Sequence, residues 1–286
     1  RKSYEADRNL IAAVSNLWNT TAISTFSYGN DAVGRRTNRV DSGASSATNV
    51  FGYNVRSELT SADMGTNDYD YVYDPIGNRE SYTNNAEAWT YLANELNQYT
   101  NIADGVTNTP TYDLDGNMLT YGGWTFEWNG EHRLVLASNG STVVTFAYDY
   151  MGRRFRKVVD DGATVTTNTF AYDGWAMIHE RTHSPTHTLT NSYVYGPDLS
   201  GSMQGAGTIG GLLSATLSGT NVFYSYDANG NVTGLTDTNG STVATYTYDP
   251  FGGTVSSSGS LADENPFRFS TKYTDDETGL LYYGFR

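Results

Sequence analysis

Three histidines four residues apart, His179, His183 and His187, have the type and spacing of metal ligands. Histidines one helical turn apart form a zinc pair when a helix aligns them and a further ligand completes the site. Pro185 stands between the last two, and "THSPTHT" reads as the tip of a hairpin joining "AMIHERT" to "TLTNSYVY". These three are weak metal candidates at best, and strand and turn histidines are the expectation. "GAGTIG" at residues 205–210 fits the dinucleotide fingerprint, which needs a helix N-terminus behind it to hold a pyrophosphate. No helical pattern follows, so a glycine loop is expected and no cofactor. "DLDGN" at residues 113–117 resembles the start of a calcium loop, but its sixth and twelfth positions are Met118 and Trp124 in place of Gly and Glu. His132 in "WNGEHRLV" reads as a turn residue, and no nucleophile, base and oxyanion set stands out. No catalytic residue is assigned, and the chain is expected not to be an enzyme.

Whatever positions these residues must be strand and turn. Tyr numbers 23, Gly 30, and charged residues make up only 17%, below the usual quarter, a balance that favours strands and turns over helices. An i, i+3, i+4 apolar stripe is absent throughout. At 286 residues the chain is long enough to bury a sizeable core. The net charge of -14 is scattered, with no basic cluster beyond pairs such as Arg35 with Arg36. Phosphate binding needs concentrated basic surface, which argues against a nucleic-acid partner. There is no cysteine, hence no disulfide framework or thiolate site. Residues 199–226 carry no charge, but Gly, Ser and Thr interrupt them and about 18 continuous apolar residues are lacking, so no membrane span is expected. The chain opens "RKSYEADRNL", without Met or an apolar signal segment, and is expected to be a piece of something longer or a processed product.

One turn recurs: "YDPIGNR" from Tyr73, "YDLDGNM" from Tyr112, "YDYMGRR" from Tyr148, "YDGWAMI" from Tyr172, "YDANGNV" from Tyr226 and "YDPFGGT" from Tyr248. Asp bonds its own backbone two residues on, and Gly supplies the positive φ of a reversal. The structural motif is therefore assigned to Tyr73, Asp74 and Gly77; Tyr112, Asp113 and Gly116; Tyr148, Asp149 and Gly152; Tyr172 and Asp173; Tyr226, Asp227 and Gly230; and Tyr248, Asp249 and Gly252. Ten aromatic pairs at a spacing of two accompany it, from Phe26 with Tyr28 to Tyr246 with Tyr248. With Tyr112 counted as a unit whose first aromatic is Pro110, ten intervals separate Tyr28 from Tyr248, a mean period of 22 residues. A spacing of two puts both rings on one strand face. "SNGST" at 138 and "TNGST" at 238 add the Asn-Gly signal of tight hairpins between successive pairs. The expected fold is all-β: antiparallel hairpins of about 22 residues stacked into one coiled or spiral sheet, with aromatic ladders across its strands.

Four further segments sharpen this: "YLANELNQYT" at Tyr91, "YDGWAMIHE" at Tyr172, "DLSGSMQGAGTIGGLL" at Asp198 and "NPFRFSTKYTDDETGLLYYGFR" at Asn265. With the YD turns they make the chain resemble the Rhs or YD-repeat family, the shell proteins of bacterial polymorphic toxins, related to the C component of insecticidal toxin complexes and to teneurins. The resemblance implies a hollow β-shell, in the bacterial proteins around a toxic C-terminal segment and in teneurins serving adhesion. It implies a repeat domain over residues 1–264 and the start of the repeat-associated core region over 265–286. In the bacterial family that region ends in an aspartyl self-cleavage site. The chain stops at Arg286, where the region should begin, so no cleavage residue carries over.

The function expected is that of a non-catalytic shell segment, bacterial and secreted or at the cell surface, that encloses or presents another polypeptide. A closed β wall satisfies its own backbone hydrogen bonds and keeps cargo from solvent and proteases. The expected partners are the remainder of its own polypeptide or an enclosed toxin segment, with self-association through open strand edges as a further contact. The alternatives are an adhesion or glycan-binding module using exposed aromatics, and a filament built by edge stacking.

Overall fold

Alternation along each strand is what the sequence imposes first. In the strand Asn67–Tyr73, Tyr69 and Tyr71 are buried while Asp68, Asp70 and Val72 face solvent, the signature of a strand with one covered face. Thr242–Tyr248 repeats it with Ala244, Tyr246 and Tyr248 inward. The computed structural model describes residues 1–43 and 46–284; the last two positions of the 265–286 segment lie outside the described residues. Among the described residues there are twenty-seven strands, no α-helix and a single 3-10 turn at Phe269–Thr271.

The chain forms two compact units, residues 1–122 and 123–286. In the first, eleven strands from Lys2–Tyr4 to Thr107–Asn108 lie side by side in chain order, consecutive strands pairing antiparallel. That ladder ends just before Pro110, which has no N–H to donate, and a hairpin of Thr111–Tyr112 with Met118–Tyr121 follows. In the second unit the strands from Trp124–Trp128 to Thr254–Ser258 again follow chain order. The chain then leaves the hairpin pattern and ends in a short hairpin of Tyr273–Asp275 with Leu280–Tyr282. The all-β antiparallel hairpin fold is thus observed.

A bulge accompanies the YD turns. Tyr73 faces Arg79 while Val72 faces Ser81, which leaves Glu80 with no opposite residue. The same shift falls at Tyr148, Tyr226 and Tyr248. A bulge bends the strand and increases its right-handed twist, so curvature belongs to the repeat itself. The two Asn-Gly turns depart from the two-residue hairpins expected of them. At 238 the loop has five residues, because the Asp237 carboxylate accepts the amides of Asn239 at 2.8 Å and Ser241 at 2.9 Å. At 138 the Asn139 side chain accepts from Ser141 and Thr142. An Asx acceptor at the head of the loop draws the backbone into a wider turn.

In the first unit Ala62, Met64, Tyr69 and Tyr71 form a buried cluster. In the second, the inward residues of successive strands, among them Phe170, Tyr193, Leu212, Leu235 and Tyr246, share a core with Phe267 and Tyr273 from the C-terminal segment.

Candidate functional site

The repeated turn is a five-residue loop closed by its first side chain. Asp74 Oδ1 accepts the amides of Ile76 at 2.9 Å and Asn78 at 2.8 Å, and Asn78 Nδ2 donates to Asp74 Oδ2 at 2.8 Å. Asp113 and Asp227 are bonded in the same way, each by the Asn four residues on. Asp149 substitutes Arg153 Nε, and Asp249 uses the two amides of Phe251 and Gly253. The fourth position takes positive φ at Gly77, Gly116, Gly152, Gly230 and Gly252. Burial opposes ionisation of Asp74, but the Asn78 side chain and the loop amides outweigh it and hold the carboxyl below its usual range. Tyr172 and Asp173 stand at a different turn. Asp173 pairs directly with Ala176 across Gly174 and Trp175, and no loop amide reaches its carboxylate among the described contacts. With Gly directly behind Asp, the chain reverses in two residues.

In five of the six YD units, all but that of Tyr73, the tyrosine ahead of the turn ties it to the previous one. Tyr148 hydroxyl donates to the carbonyl of Leu134 at 2.8 Å, Tyr172 to Arg154 at 2.7 Å and Tyr248 to Val232 at 2.7 Å. Tyr112 donates to Tyr99 at 3.1 Å, and Tyr226 to Leu212. Tyr53 extends the pattern with Arg36 at 2.8 Å. Apart from Leu212, each acceptor lies five residues beyond the Asx residue of the preceding turn. The ring fills the face, and the hydroxyl satisfies a carbonyl beside the bulge. Burial pushes the Tyr172, Tyr226 and Tyr248 phenols well up.

In the second unit this aromatic face holds the C-terminal segment, which passes through the 3-10 turn at Phe269–Thr271 into its closing hairpin. Phe267 lies edge-on to Tyr193 at 4.9 Å between ring centres, and Tyr273 to Phe170 at 5.4 Å. Polar anchors fix the segment. Asn265 Oδ1 accepts from Tyr224 hydroxyl at 2.7 Å. Thr271 Oγ1 donates to the Gly230 carbonyl at 2.7 Å and accepts from the Gly210 amide at 2.8 Å. The Tyr273 hydroxyl donates to Glu180 at 2.5 Å, and Tyr193 hydroxyl to the same carboxylate at 2.9 Å. Burial, then the Glu180 charge, raises both phenols well above their ordinary value. Asp275 pairs with Arg154 at 2.6 Å and Lys157 at 3.2 Å, all three buried. The Arg154 guanidinium also lies over the rings of Phe146, Phe170 and Tyr282. Beside the segment is a cleft of about 260 Å³ whose lining includes Tyr172, Trp175, Tyr195, Gln204, Lys272 and Tyr283.

The three histidines are not gathered. His179 sits opposite Ser192 in a strand, His183 Nδ1 meets Thr188 Oγ1 at 2.9 Å, and His187 Nδ1 meets Ser184 Oγ at 2.8 Å across the hairpin tip. No group of three His, Cys, Asp or Glu among the described residues is placed to hold a metal. His132 is the positive-φ fourth residue of the turn begun by Asn129. The 205–210 loop leads into the strand Leu212–Leu217, and its amides at Ala206 and Thr208 are taken by Asp198 at 2.7 and 3.2 Å. An internal carboxylate sits where the fingerprint would place a phosphate. Sequence reasoning missed Arg154, Lys157, Glu180 and Asp275. Strand parity hid Arg154 and Lys157: they are three residues apart, and only the bulge at Phe155 turns both inward.

The family described as Teneurin YD-shell matches residues 18–286. Two curated relatives are the tRNA3(Ser)-specific nuclease WapA of Bacillus spizizenii and the tRNA nuclease WapA of Bacillus subtilis. Each is 30% identical over 221 residues, 74% of this chain and 9% of the relative. The chain therefore spans less than a tenth of the length of these relatives. Among solved structures, the TcdB2-TccC3-Cdc42 crystal structure is 17% identical with a TM-score of 0.49, covering 100% of this chain and 18% of that one. The Photorhabdus luminescens Tc holotoxin pore is 17% identical with a TM-score of 0.46, covering 96% and 19%.

Proposed function

Because this chain belongs to the teneurin YD-shell family, we propose that it is a non-catalytic wall segment of a secreted or cell-surface bacterial protein, whose aromatic face holds a further polypeptide such as a C-terminal toxin segment. The observation that carries this reading is the C-terminal segment itself, a stretch outside the long sheet gripped through Asn265, Phe267, Thr271, Tyr273 and Asp275. A face that anchors one such stretch through rings, hydroxyls and a buried ion pair has the chemistry to hold more of it. On this proposal residues 1–264 are the wall and 265–286 begin the held region. The WapA relatives are named as tRNA nucleases; on this proposal that activity is not carried by the segment matched here.

A protease-sensitive peptide fused behind residue 286 is expected to be cut at least about tenfold more slowly than the same peptide on an unrelated carrier, because cleavage tracks the population of the released state. Equal rates would sink the holding role. Incubation of the purified chain with tRNA is expected to leave the tRNA intact, and specific cleavage would overturn the non-catalytic part. A second reading, a glycan-binding module, is favoured by the cleft beside Trp175 and Tyr283, since aromatic platforms with a few polar groups suit such ligands. A change in Trp175 fluorescence on adding oligosaccharides would support it.

A further inference from the structure

Three stretches of the second unit meet at the cleft beside the C-terminal segment. Gln204 staples two of them: its Oε1 accepts the Trp175 amide at 2.7 Å and its Nε2 donates to the Asp173 carbonyl at 2.9 Å, which fixes the 198–211 loop to the two-residue turn. The C-terminal segment is the third, and it passes so near that a Cβ on Gly284 would stand 3.4 Å from Trp175 Cε3. From it Lys272 Nζ reaches across to the loop, donating to the Gly207 carbonyl at 2.7 Å, with the exposed Tyr283 ring centred 5.5 Å away. Lys272 is the one charged residue on the walls, which carry no Asp or Glu among the described residues. It is 9% exposed, and a buried charge is ordinarily paired. The chain's other buried lysine, Lys157, has two carboxylates. Lys272 forms no ion pair among the described residues, and one carbonyl takes only one of its three protons. Asp198, whose charge reaches it, is occupied by Ser200, Ala206 and Thr208.

A second polar atom is left over in the same cleft. Tyr148, Tyr172 and Tyr248 give their hydroxyls to a carbonyl just beyond the loop of the preceding turn. Tyr195 follows the two-residue turn after Asp173, which has no such loop, and its hydroxyl has no hydrogen-bond partner among the described residues. Burial alone raises its phenol. The cleft volume of about 260 Å³ falls just under the roughly 300 Å³ at which drug-sized pockets begin, which is room for one six-membered ring with its substituents. An unpaired ammonium, aromatic walls and a spare hydroxyl together specify the ligand's chemistry. We propose that this cleft binds a six-membered ring bearing one carboxylate: Lys272 takes the carboxylate, half-buried Trp175 and Tyr283 flank the ring, and the Tyr195 hydroxyl bonds a polar atom of the ligand. Uronic acid residues of a glycan and free aromatic acids share this chemistry. The charge requirement holds for either source and does not rest on the glycan reading.

A ligand of this size is held with a dissociation constant on the order of 1 mM. Saturation-transfer NMR titrations of the full chain, to about 20 mM of each compound so as to bracket that value, compare two acids with their neutral counterparts: glucuronate with glucose, and benzoate with benzamide. At least one acid is expected to bind about tenfold or more tightly than its counterpart, as a charge-assisted hydrogen bond does. Lys272→Met keeps the buried stem and is expected to abolish that preference. Tyr195→Phe removes an atom with no protein partner; it is expected to leave the thermal transition where it was and to weaken acid binding about fivefold. Benzoate bound with neither sugar bound keeps the proposal and ends the glycan reading. Glucose held as tightly as glucuronate, with benzamide as tightly as benzoate, overturns the proposal and leaves the glycan reading standing. Acid binding unchanged in either variant, or no acid bound at all, overturns it as well.

Discussion

Tyr148→Phe isolates the hydroxyl that ties one turn to the next. The variant keeps the ring and removes the bond to the Leu134 carbonyl at 2.8 Å, which costs about 1 kcal/mol at about pH 7. The same hydroxyl gives the change a pH dependence of known sign. Burial pushes the Tyr148 phenol up to about 12, against about 10 in an unfolded chain. A group whose folded pKa is raised contributes stability that is whole below about pH 10 and fades as pH rises toward the folded value. Between those limits the unfolded chain releases the proton while the folded one keeps it. At about pH 10.5 that difference amounts to about 0.8 kcal/mol, so the cost of Tyr148→Phe falls from about 1 to about 0.2 kcal/mol. Urea denaturation of both proteins at the two pH values, read from midpoint and slope, measures it. An identical cost at both pH values refutes the linkage, and a cost under about 0.3 kcal/mol at neutral pH refutes the lacing role.

Asp227→Ala strips a buried acceptor from the amides of Asn229 and Asn231 and from Asn231 Nδ2; a loss of about 2–3 kcal/mol is expected, seen as a drop of about 5–10 °C in the thermal transition of residues 123–286. Asp275→Asn leaves Arg154 buried without its carboxylate, while Lys157 keeps Glu277 at 2.9 Å; a loss of about 3 kcal/mol and new proteolytic cuts within residues 262–284 are expected, with the transition of residues 1–122 unchanged. Gly230→Ala combines φ +76 with a Cβ 2.6 Å from Ile209 Cγ2, whereas Gly65→Ala has φ +72 and open space around it; calorimetry is expected to show Gly65→Ala costing about 1 kcal/mol and Gly230→Ala clearly more.

The repeat was legible because its chemistry is local. An Asx side chain reaches its own loop within four residues, and Gly or Asn at the fourth position supplies the positive φ, so Asp74, Asp113, Asp149, Asp227 and Asp249 announce their turns in any context. Alternation showed the strands, and two aromatics at a spacing of two marked the covered face. Asp173 misled because Gly174 behind it permits a tighter reversal that the YD dipeptide alone does not reveal. The Asn-Gly turn at 238 misled for the complementary reason, Asp237 standing one residue ahead of the pattern being matched. The anchors of the C-terminal segment were hidden differently. Arg154 and Asp275 are 121 residues apart, and nothing in the local spacing of either points to the other. Glu180 lies in the stretch searched for histidine ligands, yet its role belongs to Tyr193 and Tyr273 on two other strands.

That separation bears on how the wall behaves. A sheet whose strands pair only with their chain neighbours has nearly nearest-neighbour energetics, and its hairpins can open one at a time. Tyrosine lacing extends each contact by one hairpin and no further. The C-terminal segment touches many hairpins at once: Asp275 the strand Arg154–Asp160, Tyr273 the strands with Phe170 and Glu180, Asn265 the strand with Tyr224, and Thr271 the turn at Gly230. Closing so long a loop adds only a logarithmic entropy cost, so a few buried anchors outweigh it. Once seated, the segment makes opening of any one hairpin cost contacts made to the others. Holding is therefore reciprocal: whatever stiffens the sheet raises its grip on the segment, and the segment raises the stability of the sheet by the same free energy. A sheet of this construction is firm where the segment is seated and looser where it is not, because the repeat's own contacts reach only to neighbouring hairpins.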